Sequence, residues 1–199
     1  MIYLASNSPR RRELLKQINV RFEPLLFRTG ARADADVNED VLPGEDAFSY
    51  VQRVAMAKAV GGIKRISWRS LPPRLLLAAD TTLELDGAII GKPDNAEHAV
   101  DILRALSGRS HQVLTAVVVG NGQRYAQRLS VSEVRFRALD EQDIRRYVAS
   151  GEAADKAGAY GIQGRAAVFI EEIRGSYTGI MGLPLFETAA LLQEFGYPL

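Results

Sequence analysis

Apolar positions near the start of the chain repeat with two different periods, which predicts alternating strands and helices. Residues 2–5 (IYLA) form an apolar run that predicts a short strand. Ser8 followed by Pro9 predicts a helix start, with Ser8 as N-cap and Pro9 in the first helical position. The apolar residues at helical spacing behind them are Leu14, Leu15 and Ile18.

The next stretch predicts a strand, an acidic loop, a helix and a buried strand. Residues 20–27 predict the strand, and the segment ARADADVNEDVLPGED, with six carboxylates, predicts the loop. Helical spacing resumes at Asp46, and Gly61-Gly62 predicts the end of that helix. Apolar residues 75–79 predict a buried strand that ends at Asp80.

Turn and cap signals mark element boundaries in the middle of the chain. Asp86-Gly87 predicts a tight hairpin turn. Asp94 with Glu97 predicts a capping box at the start of a helix.

Two long strands are predicted over residues 111–119 and 125–138, and a shift in apolar phase indicates a bulge near Ser132. Residues 152–166, rich in alanine and glycine, have neither period and predict a loop, and residues 167–173 predict a further strand. We therefore expect an α/β fold with a mixed twisted sheet flanked by helices.

Composition limits the partners that the chain can have. Its 199 residues fit one domain over 1–199, and 25 Lys and Arg against 24 Asp and Glu give a net charge of +1. This balance offers no overall attraction to nucleic acid or to an anionic membrane, so we expect neither partner. No signal-peptide pattern or apolar run of roughly 20 residues is present, so we expect a cytoplasmic protein. The absence of cysteine excludes disulfides and thiolate nucleophiles.

Three arginines fill the first turn of the N-terminal helix, where the helix dipole disfavours cations. Arg10 and Arg11 precede Leu14 and Leu15 by one turn, so we expect both to project toward the end of the sheet. Arg12 aligns with the solvent face. Two guanidiniums beside the free N–H groups of a helix start predict a phosphate site, the alternative being a solvated basic turn.

Other charged residues are candidates for the same chemistry. Asp80 directly follows five apolar residues, so it either binds Mg²⁺ or orients water, or else caps a turn. Lys58 lies on the apolar stripe of its helix and either covers that surface or reaches a phosphate. Lys92 is a phosphate ligand or an ordinary turn lysine. Glu39 and Asp36 in the acidic loop are candidate metal ligands, the alternative being a solvated loop.

Several common sites are excluded or disfavoured. His98 and His111 belong to no ligand-spaced cluster, which argues against a histidine metal site and a Ser-His-Asp triad. Neither GxxxxGK[ST] nor GxGxxG occurs, so the usual NTPase and dinucleotide motifs are absent.

Five collinear motifs resemble a known family. They are LASNSPRRRELL, AADTTLELDGAIIGKP, LSGRSHQVLTAV, DKAGAYGIQG and GSYTGIMGLPL. Together they resemble the Maf family of nucleoside triphosphate pyrophosphatases over most of the chain. The resemblance implies a fold similar to that of the inosine triphosphate pyrophosphatases, with the active-site cleft between two lobes, and a homodimer. It also implies cleavage of a nucleoside triphosphate to the monophosphate and pyrophosphate, dependent on Mg²⁺ or Mn²⁺.

The resemblance further implies roles for individual residues. Asp80 corresponds to the proton acceptor of the ADT motif, and Glu39 and Lys58 correspond loosely to a loop glutamate and a helix lysine. The chain has AMAKA and DVNED where the family commonly has other charge patterns. The family pattern is therefore matched least closely around the metal ligands, for which Glu39 and Asp80 are the candidates.

Base preference is implied by a second set of positions. Arg10, Thr81 and Gln163 resemble the branch that acts on dTTP and UTP, rather than the branch that prefers 7-methyl-GTP. A glutamine amide has both a donor and an acceptor with which to read a pyrimidine edge, and Thr81 can add one hydrogen bond.

One hypothesis unites these candidates. Asp80, with the metal, activates water for attack on the α-phosphorus, while cations stabilise the phosphates. Those cations are Arg10, Arg11, Lys58 and Lys92. The hypothesis requires Arg10 and Asp80 to line one cleft. Two alternatives stay open, a non-catalytic nucleotide sensor that regulates septum formation and an RNA-binding module, and the balanced charge argues against the second.

Overall fold

Strands and helices follow one another in the alternating order that the sequence predicts. The computed structural model describes residues 1–26 and 37–199. The strands are β1 (Ile2–Leu4), β2 (Phe22–Pro24), β3 (Leu76–Leu85), β4 (Ala88–Ile90), β5 (Ser110–Gly120), β6 (Tyr125–Phe136) and β7 (Ile170–Arg174). The helices are α1 (Pro9–Gln17), α2 (Ala47–Trp68), α3 (Ala96–Leu106), α4 (Glu141–Ala149), α5 (Tyr177–Ile180) and α6 (Leu185–Glu194). Two 3₁₀ segments, Ala157–Ala159 and Arg165–Phe169, precede β7.

The described strands form one mixed sheet in the order β2-β1-β3-β5-β6-β7, with β4 paired to β3. β1 runs parallel to β2 and β3, and the other pairs are antiparallel. Alternate β3 residues face opposite sides: Leu76 and Ala78 pack with α2, while Leu77 and Ala79 pack with α1 and α6. The expected mixed α/β fold is confirmed. No helix within the described ranges is long and apolar enough to cross a membrane.

Over a few residues, one edge of β3 has no partner among the strands that the structure describes. β1 pairs with β3 up to Leu77, and β4 begins to pair at Leu83. Between them, residues 78–82 have no neighbour on that side among the described strands, although β5 pairs them on the other side. The prediction that the strand ends at Asp80 was wrong, because β5 holds β3 extended through Asp80 as far as Leu85.

Helix α2 continues past the two glycines that were predicted to end it. It runs to Trp68, and Gly62 faces the sheet so closely that an added Cβ would lie 2.5 Å from Leu76 Cδ1. Glycine lowers helix stability by roughly 1 kcal/mol relative to alanine, but here it permits close packing of α2 on β3. Gly62 therefore marks a close approach between α2 and β3 and not a helix end.

The predicted bulge near Ser132 was also wrong. The β5–β6 register is continuous there, and the irregularity lies between Arg135 and Phe136 against β7. Ser130 and Ser132 are buried, whereas Val131 is 42% exposed. Because small polar residues occupy inward positions of β6 and an apolar residue points outward, the sequence pattern wrongly indicates that the buried face changes sides near Ser132.

Two local signals had different outcomes. The Asp86-Gly87 turn is present, with φ of 52° and 82° at its two residues. The N-cap of α3 is Asn95, which accepts from His98 N at 2.9 Å, and not Asp94 as predicted. The Asp94 carboxylate instead lies 2.9 Å from the His98 ring.

Candidate active site

A cavity of about 520 Å³ opens at the unpaired edge of β3. Its walls come from the β1–α1 connection, α2, the middle of β3 and the segment after α4. The predicted site residues that line it are Arg10, Arg11, Glu39, Lys58, Asp80, Thr81, Lys92 and Gln163. Arg10 and Asp80 thus share one cleft, as the hypothesis required. Asp36 lies outside the described residues.

The period of β3 separates two charged halves of this cavity. Asp80 faces α2, where Lys58 Nζ lies 2.7 Å from its Oδ1. Thr81 points to the other face, where Arg11 Nη2 donates to its hydroxyl at 3.2 Å. Two consecutive strand residues therefore connect a cation from α2 and a cation from α1 to the same opening.

Lys58 joins two carboxylates. Its Nζ also lies 3.0 Å from Glu39 Oε1, and Asp80 is only 7% exposed. The Tyr50 hydroxyl donates to the Glu39 carbonyl oxygen at 3.0 Å and so fixes the backbone of Glu39. Burial, followed by the charges of Asp80 and Glu39, raises the pKa of Tyr50 to about 12, so this hydroxyl keeps its proton.

The donor atoms of this half suit a hard divalent cation. Glu39 and Asp80 approach one ammonium group, so they mark a position where positive charge is stabilised. In the described part of the chain, no group of three or more His, Cys, Asp or Glu could hold a metal. Mg²⁺ retains several waters and binds phosphate oxygens, so two carboxylates suffice when phosphate completes the coordination.

Arg11 is held by three hydrogen bonds on the opposite side. Its Nε donates to the Gly182 carbonyl oxygen at 2.7 Å, its Nη1 to the Ser6 hydroxyl at 3.2 Å, and its Nη2 to Thr81. A guanidinium has five N–H groups, so one on each terminal nitrogen remains for a ligand, in a fork that matches phosphate. Burial lowers the pKa of Arg11, the charge of Asp80 opposes this, and the group stays cationic at neutral pH.

Thr115 on β5 supports this arrangement, although it was not among the predicted site residues. Its hydroxyl lies 2.8 Å from the Gly179 carbonyl oxygen and 3.0 Å from the Thr81 hydroxyl. Because its single proton goes to the carbonyl, Thr81 must donate to Thr115 and accept from Arg11. The sequence feature that could have indicated its role is the single threonine within the otherwise apolar strand segment VLTAVVVG.

The remaining site residues connect α1 to the segment after α4. Arg10 Nη1 lies 3.9 Å from Asp155 Oδ2, in the same segment as Gln163. Gln163 is exposed and occupies the third position of the turn 161–164, which is closed by a hydrogen bond from the last residue to the first. Lys92 is exposed and precedes α3. The structure brings these residues to one cavity, and their roles in binding stay predictions.

Three residues that were not predicted to belong to the site, Arg12, His98 and His111, do not line the cavity. Arg12 is half-buried outside the cavity lining, and His98 is exposed beside Asp94. His111 is buried, with Nε2 2.8 Å from the Tyr160 hydroxyl. Burial lowers the pKa of His111 to about 4, so its ring is neutral at physiological pH.

Comparison with known proteins gives a consistent family. The family model described as Maf-like protein matches residues 1–195. A dTTP/UTP pyrophosphatase of Aromatoleum aromaticum is 66% identical over 199 residues, covering 100% of this chain and 97% of the relative. One of Dechloromonas aromatica is 54% identical over 196 residues, covering 98% of each. Among solved structures, the Staphylococcus aureus Ham1 protein is similar with a TM-score of 0.45 and 17% identity, covering 68% of this chain and 71% of that one. Because the family match spans almost the whole chain and these relatives exceed half identity, the chain belongs to the Maf-like protein family.

Proposed function

We propose that this chain hydrolyses dTTP and UTP to the nucleoside monophosphate and pyrophosphate. The observation that carries the proposal is a shared cavity, lined both by the buried carboxylate of Asp80 and by the two arginines at the start of α1. Close relatives with the name dTTP/UTP pyrophosphatase support the choice of substrate.

Asp80 is the proton acceptor in this reaction. A water oxygen forms a bond to the α-phosphorus, its proton passes to the Asp80 carboxylate, and the bond from the α-phosphorus to the bridging oxygen breaks. The electron pair leaves with pyrophosphate. General-base catalysis of this kind contributes typically 10²–10⁴-fold to the rate.

The cations of the cavity stabilise the charge of the triphosphate. Arg11 offers two remaining N–H groups in a fixed fork, and Arg10 adds a second guanidinium at the N-terminus of α1. Lys58 and Lys92 approach from other walls of the same cavity. Because these groups are positioned before the reaction, little reorganisation is needed as charge moves onto the departing pyrophosphate.

A divalent cation, Mg²⁺ or Mn²⁺, would be held by Glu39 and Asp80. When bound, it supplies charge neutralisation at the phosphate oxygens and lowers the pKa of water. Glu39 and Asp80 share the Lys58 ammonium, so a cation held by these carboxylates would supply the positive charge that Lys58 provides there and would leave Lys58 available to a phosphate.

Base preference is assigned to Arg10, Thr81 and Gln163. Gln163 presents its amide at an exposed turn beside the cavity. The Thr81 hydroxyl already donates to Thr115 and accepts from Arg11, which leaves it one lone pair for a ligand. Cytoplasmic location and homodimer formation stay predictions, the second measurable by sedimentation.

Pyrophosphate release from dTTP, UTP, CTP and GTP, each with Mg²⁺ or Mn²⁺, tests the function. Asp80→Asn is expected to lower turnover of dTTP at least about 10²-fold. Asp86→Asn is the matched control, because Asp86 is exposed in the β3–β4 turn with φ of 52°, which asparagine tolerates. Full activity of Asp80→Asn would refute the assignment, and nucleotide binding without any turnover would favour the sensor.

A further inference from the structure

The turn that carries Gln163 is attached at both ends to one carboxylate. Gly161 N donates to the Tyr147 hydroxyl at 3.2 Å, and that hydroxyl donates to Glu152 Oε1 at 3.1 Å. On the other side of the turn, Arg165 N donates to Glu152 Oε2 at 3.1 Å. Glu152 therefore fixes the backbone before and after Gln163, directly at one end and through Tyr147 at the other.

Two glycines let the turn lie close to this carboxylate. A Cβ added at Gly164 would overlap Glu152 Oε1, and a Cβ added at Gly161 would lie 2.9 Å from Lys156 Cε. Lys156 Nζ also donates to the Glu152 carbonyl oxygen at 2.5 Å. Gly164 is thus required by the hydrogen-bonded position of the Glu152 carboxylate, and Gly161 leaves room for the Lys156 side chain.

Tyr147 and Glu152 act through the backbone and do not line the described cavity. Tyr147 is 3% exposed, and its ring packs edge-to-face on Phe169 with centroids 5.3 Å apart. Burial raises the pKa of Tyr147, so its phenol keeps the proton that Glu152 accepts. That proton is engaged inside the protein, which leaves Tyr147 no donor for a ligand.

We infer that Glu152 and Tyr147 are positioning residues for pyrimidine discrimination, because they set the place from which the Gln163 amide meets the base. The inference rests on the proposed function and deepens it. Thymine and uracil present an N–H donor between two carbonyl acceptors, whereas cytosine presents an acceptor and an amino donor at the corresponding positions. Hydrogen bonds tolerate displacements of only a few tenths of an ångström, so a shifted turn loses this distinction.

The test compares binding of the product nucleotides dTMP, UMP and CMP by calorimetry. Glu152→Gln keeps the size of the side chain, but its amide NH2 group cannot accept, so either the Tyr147 hydroxyl or Arg165 N loses its acceptor. Tyr147→Phe removes the hydroxyl that links Gly161 N to Glu152. Glu172→Gln is the matched control, because Glu172 is exposed on β7 and pairs with Arg174. We expect the preference for UMP over CMP, which share the same sugar and differ in the edge of the base, to fall about tenfold in both variants and to stay unchanged in the control.

A double variant separates positioning from a general structural role. In the Gln163→Ala background, Tyr147→Phe is expected to cause no further loss of preference. Amide hydrogen exchange at Gly161 and Arg165 is expected to become faster in Glu152→Gln. Equal weakening for all three nucleotides, an unchanged preference, unchanged exchange, or no preference in the unmodified protein would each overturn the inference.

The proposed function can fail separately. If the unmodified protein releases no pyrophosphate from dTTP, hydrolysis is rejected, while the binding preference and its loss in the variants still support the positioning role. If hydrolysis is normal and the variants discriminate like the unmodified protein, the positioning role alone is rejected.

Discussion

Replacing Thr115 by valine isolates the hydroxyl that connects β5 to Arg11. Thr115 is fully buried, and its hydroxyl lies between the Gly179 carbonyl oxygen and the Thr81 hydroxyl. Valine keeps the shape of the side chain and removes both hydrogen bonds. The Gly179 carbonyl oxygen then keeps only the hydrogen bond from Gly182 N at 2.9 Å, and the Thr81 hydroxyl loses the acceptor that fixes its rotation.

The magnitude of the effect follows from these two bonds. Each intramolecular hydrogen bond contributes about 1 kcal/mol, so the loss of two hydrogen bonds is expected to lower the stability of Thr115→Val by roughly 2 kcal/mol. For a chain of this size that lowers Tm by about 4–8 °C. A misaligned Arg11 loses about one charge-assisted hydrogen bond to phosphate, which corresponds to a roughly tenfold to hundredfold decrease in kcat/KM for dTTP.

The assay combines thermal unfolding with steady-state pyrophosphate release below the Tm of the variant. Thr188→Val is the control, because Thr188 is equally buried and its hydroxyl has no hydrogen-bond partner among the described residues. We expect this control to be neutral or slightly stabilising, with normal kinetics. A Thr115→Val protein that is less stable but has unchanged kcat/KM would refute the claim that Thr115 positions Arg11.

Three further outcomes are expected. Gly62→Ala lowers the free energy of unfolding measured in denaturant, because the added Cβ would meet Leu76 at 2.5 Å. Gly61→Ala, whose nearest contact is at 3.4 Å, instead gains up to roughly 1 kcal/mol of helix propensity. Equal effects of the two substitutions would contradict the interpretation that Gly62 permits close packing. The free energy of unfolding falls by roughly 3 kcal/mol as pH falls from 6.5 to 4. In this range His111 takes up a proton in the unfolded chain, whereas its buried ring in the folded protein, with a pKa of about 4, stays neutral. Unfolding measured across this range is flatter in His111→Gln, and an equal slope would count against the assignment. Glu39→Gln raises the Mg²⁺ concentration for half-maximal dTTP hydrolysis about tenfold or more, and an unchanged requirement would exclude Glu39 as a ligand.

Residues of the candidate site could be predicted from the sequence where a charged residue stands in a local context that normally disfavours charge. Arginines in the first turn of a helix oppose the helix dipole, so Arg10 and Arg11 indicate an anion before any coordinates are known. Asp80 is a carboxylate beside five apolar residues, and the cavity confirms that it shares a cleft with Arg10. Both predictions depend only on a few residues that are neighbours in the chain, so they could be made without knowledge of the tertiary structure.

Errors arose where a residue satisfies a contact with a distant part of the chain. Gly61-Gly62 has the composition of a helix end, yet Gly62 serves the packing of α2 on β3. Ser130 and Ser132 have the polarity of surface residues, yet both are buried. Apart from proline, local propensities amount to about 1 kcal/mol per residue or less, and tertiary packing overrides them.

By itself, the sequence determined the alternation of strands and helices, the helix start at Ser8-Pro9, the turn at Asp86-Gly87 and the chemical types present in the site, because these depend on residues within one or two turns of each other. Tertiary structure decided the rest. The unpaired edge of β3, the link from Thr115 through Thr81 to Arg11, and the attachment of the Gln163 turn to Glu152 depend on strand register and helix packing. Those contacts join segments far apart in the chain, and no local pattern of residues encodes their distances.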